Sequence, residues 1–220
     1  DNEPFASLAA TLIANGCEVD MFVQSDAIQL VPPPNGPLLR CHELPFTQMD
    51  FYRYVSNPSH GQDHSNPRVK FLGIITDCIG ELVLPCTKAV LDIAKERKPD
   101  VILASSLSRQ LAMAVGDEMG STICWVQLQP LTPTKHYPHY SQHDGFIDAL
   151  LSMDTNPDSL ESSFGEKNIE TYQELERYQF EFLKERVDFM YDDIDLGEAP
   201  LFEEDIWKAL IGERNNVFMI

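Results

Sequence analysis

The chain has 220 residues, 43% hydrophobic and 10% aromatic, enough to bury one substantial core. Its 35 acidic residues against 16 Lys and Arg give a formal charge of -19, which speaks against nucleic acid, held by Lys and Arg through counterion release, and disfavours anionic membranes. No apolar run reaches the ~20 residues that span a bilayer, and no basic stretch followed by an apolar one opens the chain, so membrane contact is expected to be peripheral at most.

Residues 4–14 carry Phe5, Leu8, Ala9, Leu12 and Ile13 at helical spacing, with Pro4 in the first turn and Asn15-Gly16 as a stop. This predicts a helix with a glycine C-cap. Val19, Met21 and Val23 alternate with Glu18 and Asp20, so residues 17–23 read as a strand. Three prolines, Pro32 to Pro34, and the turn Asn35-Gly36-Pro37 precede a second short strand over 38–44. Residues 56–67 are polar and read as a loop. A long amphipathic helix is expected over 69–97, with Leu72, Ile75, Ile79, Leu82, Val83, Cys86, Val90 and Ile93 on one stripe and Pro85 kinking or splitting it.

Val101, Ile102, Leu103 and Ala104 form a continuous apolar run, typical of a strand buried on both faces of a parallel sheet. Helical spacing returns over 107–119 and stops at Gly120, and 122–128 is the next buried strand. Trp125, like Phe22, is expected in the core rather than stacked on a ligand. Residues 131–165 read as loop around a short apolar helix at 146–153. Residues 166–191 then form a charged amphipathic helix with Tyr172, Leu175, Tyr178, Phe182 and Val187 on its apolar side, and the final Asn216-Val217-Phe218-Met219-Ile220 starts another strand. The five cysteines, Cys17, Cys41, Cys78, Cys86 and Cys124, include no C-x-x-C pair. They read as reduced, buried thiols of a cytoplasmic protein, and the lack of an N-x-[ST] sequon agrees.

Strands alternating with helices at these lengths predict an α/β fold with a Rossmann-like, doubly wound parallel sheet. Such a domain opens with a strand, whereas here a helix comes first. An apolar strand is therefore expected before Asp1, and the chain is expected to be a fragment: a domain over 1–145 followed by a helical extension over 146–220.

Asp1 stands at the mouth of the first helix, where backbone N–H groups and the positive end of the helix dipole stabilise a carboxylate. On position alone it reads as an N-cap; the alternative is a general base that takes a proton from a hydroxyl. His136, His139 and His143 share one loop and His60 and His64 another, but no Cys or carboxylate falls at a compelling ligand spacing. They read as solvated loop histidines, and no metal is expected.

The opening Asp1 to Gly16, followed by Glu18-Val19, resembles the G-D-x-x-P-[FY]-x-x-L-A-x-x-L-x-x-x-G-H-x-V signature of family 28 and related family 1 glycosyltransferases, with Cys17 in place of the usual His. Lys98-Pro99-Asp100-Val101-Ile102 resembles their entry into a strand. Asp117-Glu118-Met119-Gly120 with Cys124-Trp125-Val126 resembles a helix-to-strand passage of the same enzymes. Most specific is the run Leu128-Gln129-Pro130-Leu131-Thr132-Pro133-Thr134-Lys135-His136-Tyr137-Pro138-His139, similar to the P-x-T-P-T-x-x-[FY]-P loop of sterol glucosyltransferase-like members. The segments occur in order over about the first 140 residues. The family's G-T-x-G segment and its nucleotide-sugar domain are not among them.

The resemblance implies the N-terminal, acceptor-binding half of a two-domain (GT-B) glycosyltransferase. The reaction it implies is an inverting transfer of a sugar, UDP-glucose being the expected donor, to a hydroxyl of a sterol or other lipophilic acceptor. Asp1 would be the catalytic base, and Ser105, Ser106, Leu107, Gln129, Thr132 and Thr134 would line the acceptor cleft. No cofactor is implied, because the nucleotide sugar is a co-substrate bound mainly by the other domain. A reading of another class is a non-catalytic module that binds a lipid or pairs with a separate catalytic subunit.

Overall fold

A computed structural model describes residues 2–31, 38–57, 67–127, 157–199 and 217–219. The chain divides into two compact units, residues 1–57 and 58–220. Both mix helices with parallel strands, and the strands fall into one two-stranded and one three-stranded sheet.

In the first unit, α1 (Asn2–Ala14) ends at Gly16, whose φ of +84° is the left-handed conformation that lets the Cys17 N–H reach back to the Leu12 carbonyl at 3.1 Å. The strand β1 (Val19–Gln24) pairs in parallel with β2 (Leu39–Leu44), Val19 opposite Leu39 and Gln24 opposite Leu44. Alternation sends Met21 and Val23 inward, where with Leu39 and Val31 they pack on Ala6 and Ala9 of α1. A 3-10 turn (Ser25–Leu30) follows β1. The helix α2 (Gln48–Val55) opens on a capping box, in which Thr47 Oγ1 accepts from the Asp50 N–H and the Asp50 carboxylate accepts from the Thr47 N–H, both at 2.9 Å. The Asp26 carboxylate also accepts from the Gln48 N–H at 2.8 Å.

In the second unit the long stretch expected as one helix is broken as Pro85 requires. It runs through α3 (Pro67–Cys78), a π turn (Ile79–Val83), a 3-10 turn (Leu84–Cys86) and α4 (Thr87–Arg97). Pro85 has no N–H for the carbonyl four residues back, and just before it the Leu84 N–H bonds the Ile79 carbonyl five residues back, the signature of a π register. The buried residues Cys78, Ile79, Val83, Leu84, Cys86, Val90, Leu91 and Ala94 follow this slipped course. Leu82 and Ile93, expected on the stripe, are only half-buried.

The strand β3 (Val101–Ala104) pairs in parallel with β4 (Thr122–Gln127), and β4 with β5 (Val217–Met219), giving the order β3-β4-β5. Between β3 and β4 lie a 3-10 turn (Ser106–Ser108) and α5 (Arg109–Met119), which ends at Gly120 with φ +65°. Helical structure there begins in the tighter 3-10 form, and the α-helix starts at Arg109 rather than 107. The last helix, α6 (Pro157–Asp193), starts earlier than expected, so residues 157–165, read as loop, are helical. Among the described side chains its buried stripe is Tyr172, Leu175, Glu176, Gln179, Leu183, Val187, Met190 and Tyr191, and Ile194 just beyond its end is buried as well. Tyr178 and Phe182, expected on the apolar side, are only half-buried.

Three further expectations are corrected. β3 is not buried on both faces: Val101 is 50% exposed and only Ala104 is buried, since in the described residues β3 has a strand on one side alone. Cys17 is exposed, because it lies in the link after Gly16 and not in β1, and Cys41 is half-buried; Cys78, Cys86 and Cys124 are buried. Trp125 is core, but Phe22 is half-buried on the sheet face away from Met21 and Val23, where its ring stacks on His42 at 4.9 Å. The expected helix at 146–153 and the loop before Pro67 lie outside the described residues, apart from Ser56 and Asn57. Among the described residues, no helix is long and apolar enough to cross a membrane.

Candidate functional site

Of the residues expected to carry chemistry, Ser105, Ser106 and Leu107 are described; Asp1, Gln129, Thr132, Thr134 and the histidines at 60, 64, 136, 139 and 143 lie outside the described residues. The three share one connection, at the carboxyl end of β3, because the chain leaves Ala104 and turns at once into the 3-10 turn. In open α/β folds this end of a strand is where ligands are bound. The turn is closed by Ser108, whose N–H and hydroxyl both donate to the Ser105 carbonyl at 3.2 Å. Ser108 is the N-cap of α5, yet its side chain makes no cap hydrogen bond, since its hydroxyl is turned back to Ser105.

Directly after this turn the structure holds charges that the sequence reading missed. Arg109 and Glu176 of α6 form an ion pair at 2.7 Å with side chains 7% and 3% exposed. Gln110 and Gln179 are buried as well, and Tyr172 is fully buried. Burial, and then the Glu176 charge, push the Tyr172 hydroxyl up to about 12, so it stays a neutral phenol across the physiological range. Among the described residues, Gln110 Oε1, Thr76 Oγ1 and Trp125 Nε1 are buried with no hydrogen-bond partner. A signal for the pair was present: Glu176 and Gln179 sit on the 3.6-residue stripe of α6, where apolar side chains were due.

A second polar cluster lies in the first unit, on the face of β1 and β2 that carries Phe22. Asp20 Oδ1 accepts from Arg40 Nε at 3.0 Å and lies 2.8 Å from His42 Nε2, while Arg40 Nη2 donates to Glu18 at 2.7 Å. The parallel register sets Asp20 beside Arg40 and Phe22 beside His42, so alternation brings all four to one face. The side chains of Asp20, Arg40 and His42 are 18%, 31% and 24% exposed.

Chemically, the second unit offers serine hydroxyls and backbone groups at a strand end, backed by a neutralised ion pair. The first offers a carboxylate bridging a guanidinium and an imidazole. No group of three His, Cys, Asp or Glu that could hold a metal occurs among the described residues. No protein-family model matches the chain, and no curated protein or solved structure is significantly similar to it.

Proposed function

We propose that this chain is the acceptor-binding half of a nucleotide-sugar-dependent, inverting glycosyltransferase of the cytoplasm, with UDP-glucose as donor and a sterol or similar lipophilic alcohol as acceptor. In this reading β1, β2, β3 and β4 are the second, third, fourth and fifth strands of a doubly wound, GT-B-type sheet whose strand order is 3-2-1-4-5. The pairings of β1 with β2 and of β3 with β4 are the neighbours that order requires on either side of its first strand. The observation that carries the reading is the ordered set of family-like segments, together with Ser105, Ser106 and Leu107 lying in one turn at the carboxyl end of β3. Asp1 acts as base: a hydroxyl is a poor nucleophile until proton removal accompanies attack, and the reaction gains most when acceptor and donor are held in line.

Fluorescent dehydroergosterol titrated into the purified chain tests this. Saturable binding that UDP-glucose does not disturb is expected, because the donor belongs to the other half. Replacing both Thr132 and Thr134 by Val should weaken that binding. Absence of saturable sterol binding overturns the acceptor class. In enzyme assembled with a donor-binding half, Asp1→Asn keeps a good N-cap but loses the base, so turnover should fall about 10²–10⁴-fold. Full turnover would leave Asp1 a cap.

A further inference from the structure

A side chain from another helix, Arg186, is hydrogen-bonded at the π turn between α3 and α4. Arg186 of α6 donates from Nη1 to the Asp77 carbonyl at 3.0 Å, and its Nη2 lies 3.0 Å from Glu81 Oε1 and 3.3 Å from Asp77 Oδ1. One planar guanidinium thus binds Asp77 in the last turn of α3 and Glu81 within the π turn, which suits the forked geometry of Arg and not the point charge of Lys. Space for it exists because residue 80 is glycine: a Cβ there would lie 2.5 Å from Arg186 Cδ and closer still to Nη1. The same π turn packs against the 3-10 turn of residues 106–108 that follows β3. Arg186, Gly80, the π turn and the strand-end serines are therefore linked in an unbroken run of contacts within one unit.

We propose that Arg186 is a positioning residue: seated on Gly80, it holds residues 79–83 in the π register and through them fixes the turn of Ser106, Leu107 and Ser108. A helix that slips from π to α register moves the side chains beyond the slip around the axis, so the face offered to residues 106–108 depends on which register is held. The link from this turn to a lipophilic acceptor rests on the proposed function; the mechanical coupling does not. Glycine at 80 and arginine at 186 act as one device.

Hydrogen exchange on the purified chain tests the coupling without any ligand. In Arg186→Ala, amides of residues 79–84 and of 105–109 should exchange faster together, by about three- to tenfold, as expected for loss of a partly exposed charge-assisted hydrogen bond, while β4 keeps its rate. Arg186→Lys should fall between the two. Gly80→Ala should reproduce Arg186→Ala, and the double variant should be no worse than either, because both remove the same contact. Should Gly80→Ala fail to fold, the alanine and lysine variants at 186 still decide. Faster exchange confined to 79–84, or no change there, overturns the proposal. Dehydroergosterol affinity measured on the same variants should weaken in step with exchange at 105–109. Coupled exchange without any sterol binding by the parent chain would uphold the positioning role and sink the acceptor reading instead.

Discussion

The charge clusters of the two units are alike in distance and unlike in surroundings. On the β1–β2 face, Asp20, Arg40, His42 and Glu18 meet at 2.7 to 3.0 Å with water at their edges. At the start of α5, Arg109 and Glu176 meet at 2.7 Å with almost none. Near the surface the high dielectric and the entropy of ordering long side chains leave an ion pair little net effect. In the interior the attraction is larger, but so is the cost of taking both ions from water, and the pair matters most when one partner is lost. Equal hydrogen-bond lengths therefore give no measure of equal importance.

The largest expected effect comes from breaking the inner pair. Glu176→Ala strands the Arg109 guanidinium and should cost about 3–5 kcal/mol in chemical denaturation. Replacing both together, Arg109→Met with Glu176→Leu, should cost far less or even stabilise. A double replacement as damaging as the single one would show that the charges themselves are needed.

Next in size is an alkaline effect in the same unit. Burial first, then the Asp117 charge and the hydrogen bond to it at 3.0 Å, raise the pKa of the Tyr191 hydroxyl. Because the folded value lies above the unfolded value of about 10, this contribution is complete below pH ~10 and is lost as pH rises through the folded value. Tyr191→Phe should flatten the fall in thermal midpoint above pH ~10, and an unchanged slope would assign the fall to other groups.

In the first unit the effects shrink. Thr47→Ala removes half of the capping box of α2 and should cost about 1 kcal/mol. Hydrogen bonds from the Thr47 side chain and backbone lower the Asp50 pKa, so its stabilising contribution is present above the unfolded value of about 3.9 and is lost as pH falls through the folded one. In the Thr47→Ala variant the acid limb of stability should be shallower, as followed by circular dichroism. Smallest of all, Asp20→Asn should cost no more than about 1 kcal/mol, and 1 M salt should narrow the gap to the parent chain. A loss near that of Glu176→Ala would mean that the β1–β2 face is covered in solution.

The elements were legible wherever a period and a stop signal coincided. Gly16 and Gly120 end α1 and α5 in left-handed conformations as their sequence context predicts, and the strands at 39–44 and 122–127 fall within about a residue of their expected runs, while β1 starts two residues later than expected, at Val19. The split at Pro85 was legible, but the π turn was not, because a backbone slip changes no residue type and depends on Arg186 about a hundred positions away. The same applies to the site. Ser105, Ser106 and Leu107 could be placed at a strand end from local pattern, whereas the partnership of Arg109 with Glu176 needs the packing of α6 on the rest of its unit. Lys98 adopts φ 51° after α4 with no glycine to announce it, its N–H bonding the Ala94 carbonyl at 2.7 Å.

The uneven burial of the thiols makes the two units chemically addressable. Burial raises the Cys78 thiol to about 12, with the Asp77 charge adding to it, and burial alone raises Cys86 to about 11, so at neutral pH neither holds appreciable thiolate, the form that attacks an electrophile. Cys124 is shielded within β4. Cys17, in the open link between α1 and β1, meets reagent directly. A brief exposure to a maleimide dye should therefore mark the first unit, at Cys17 first and far more slowly at the half-buried Cys41, whose thiol burial raises, and leave the second dark. That gives a fluorescent reporter on residues 1–57 in the native chain with no engineered cysteine.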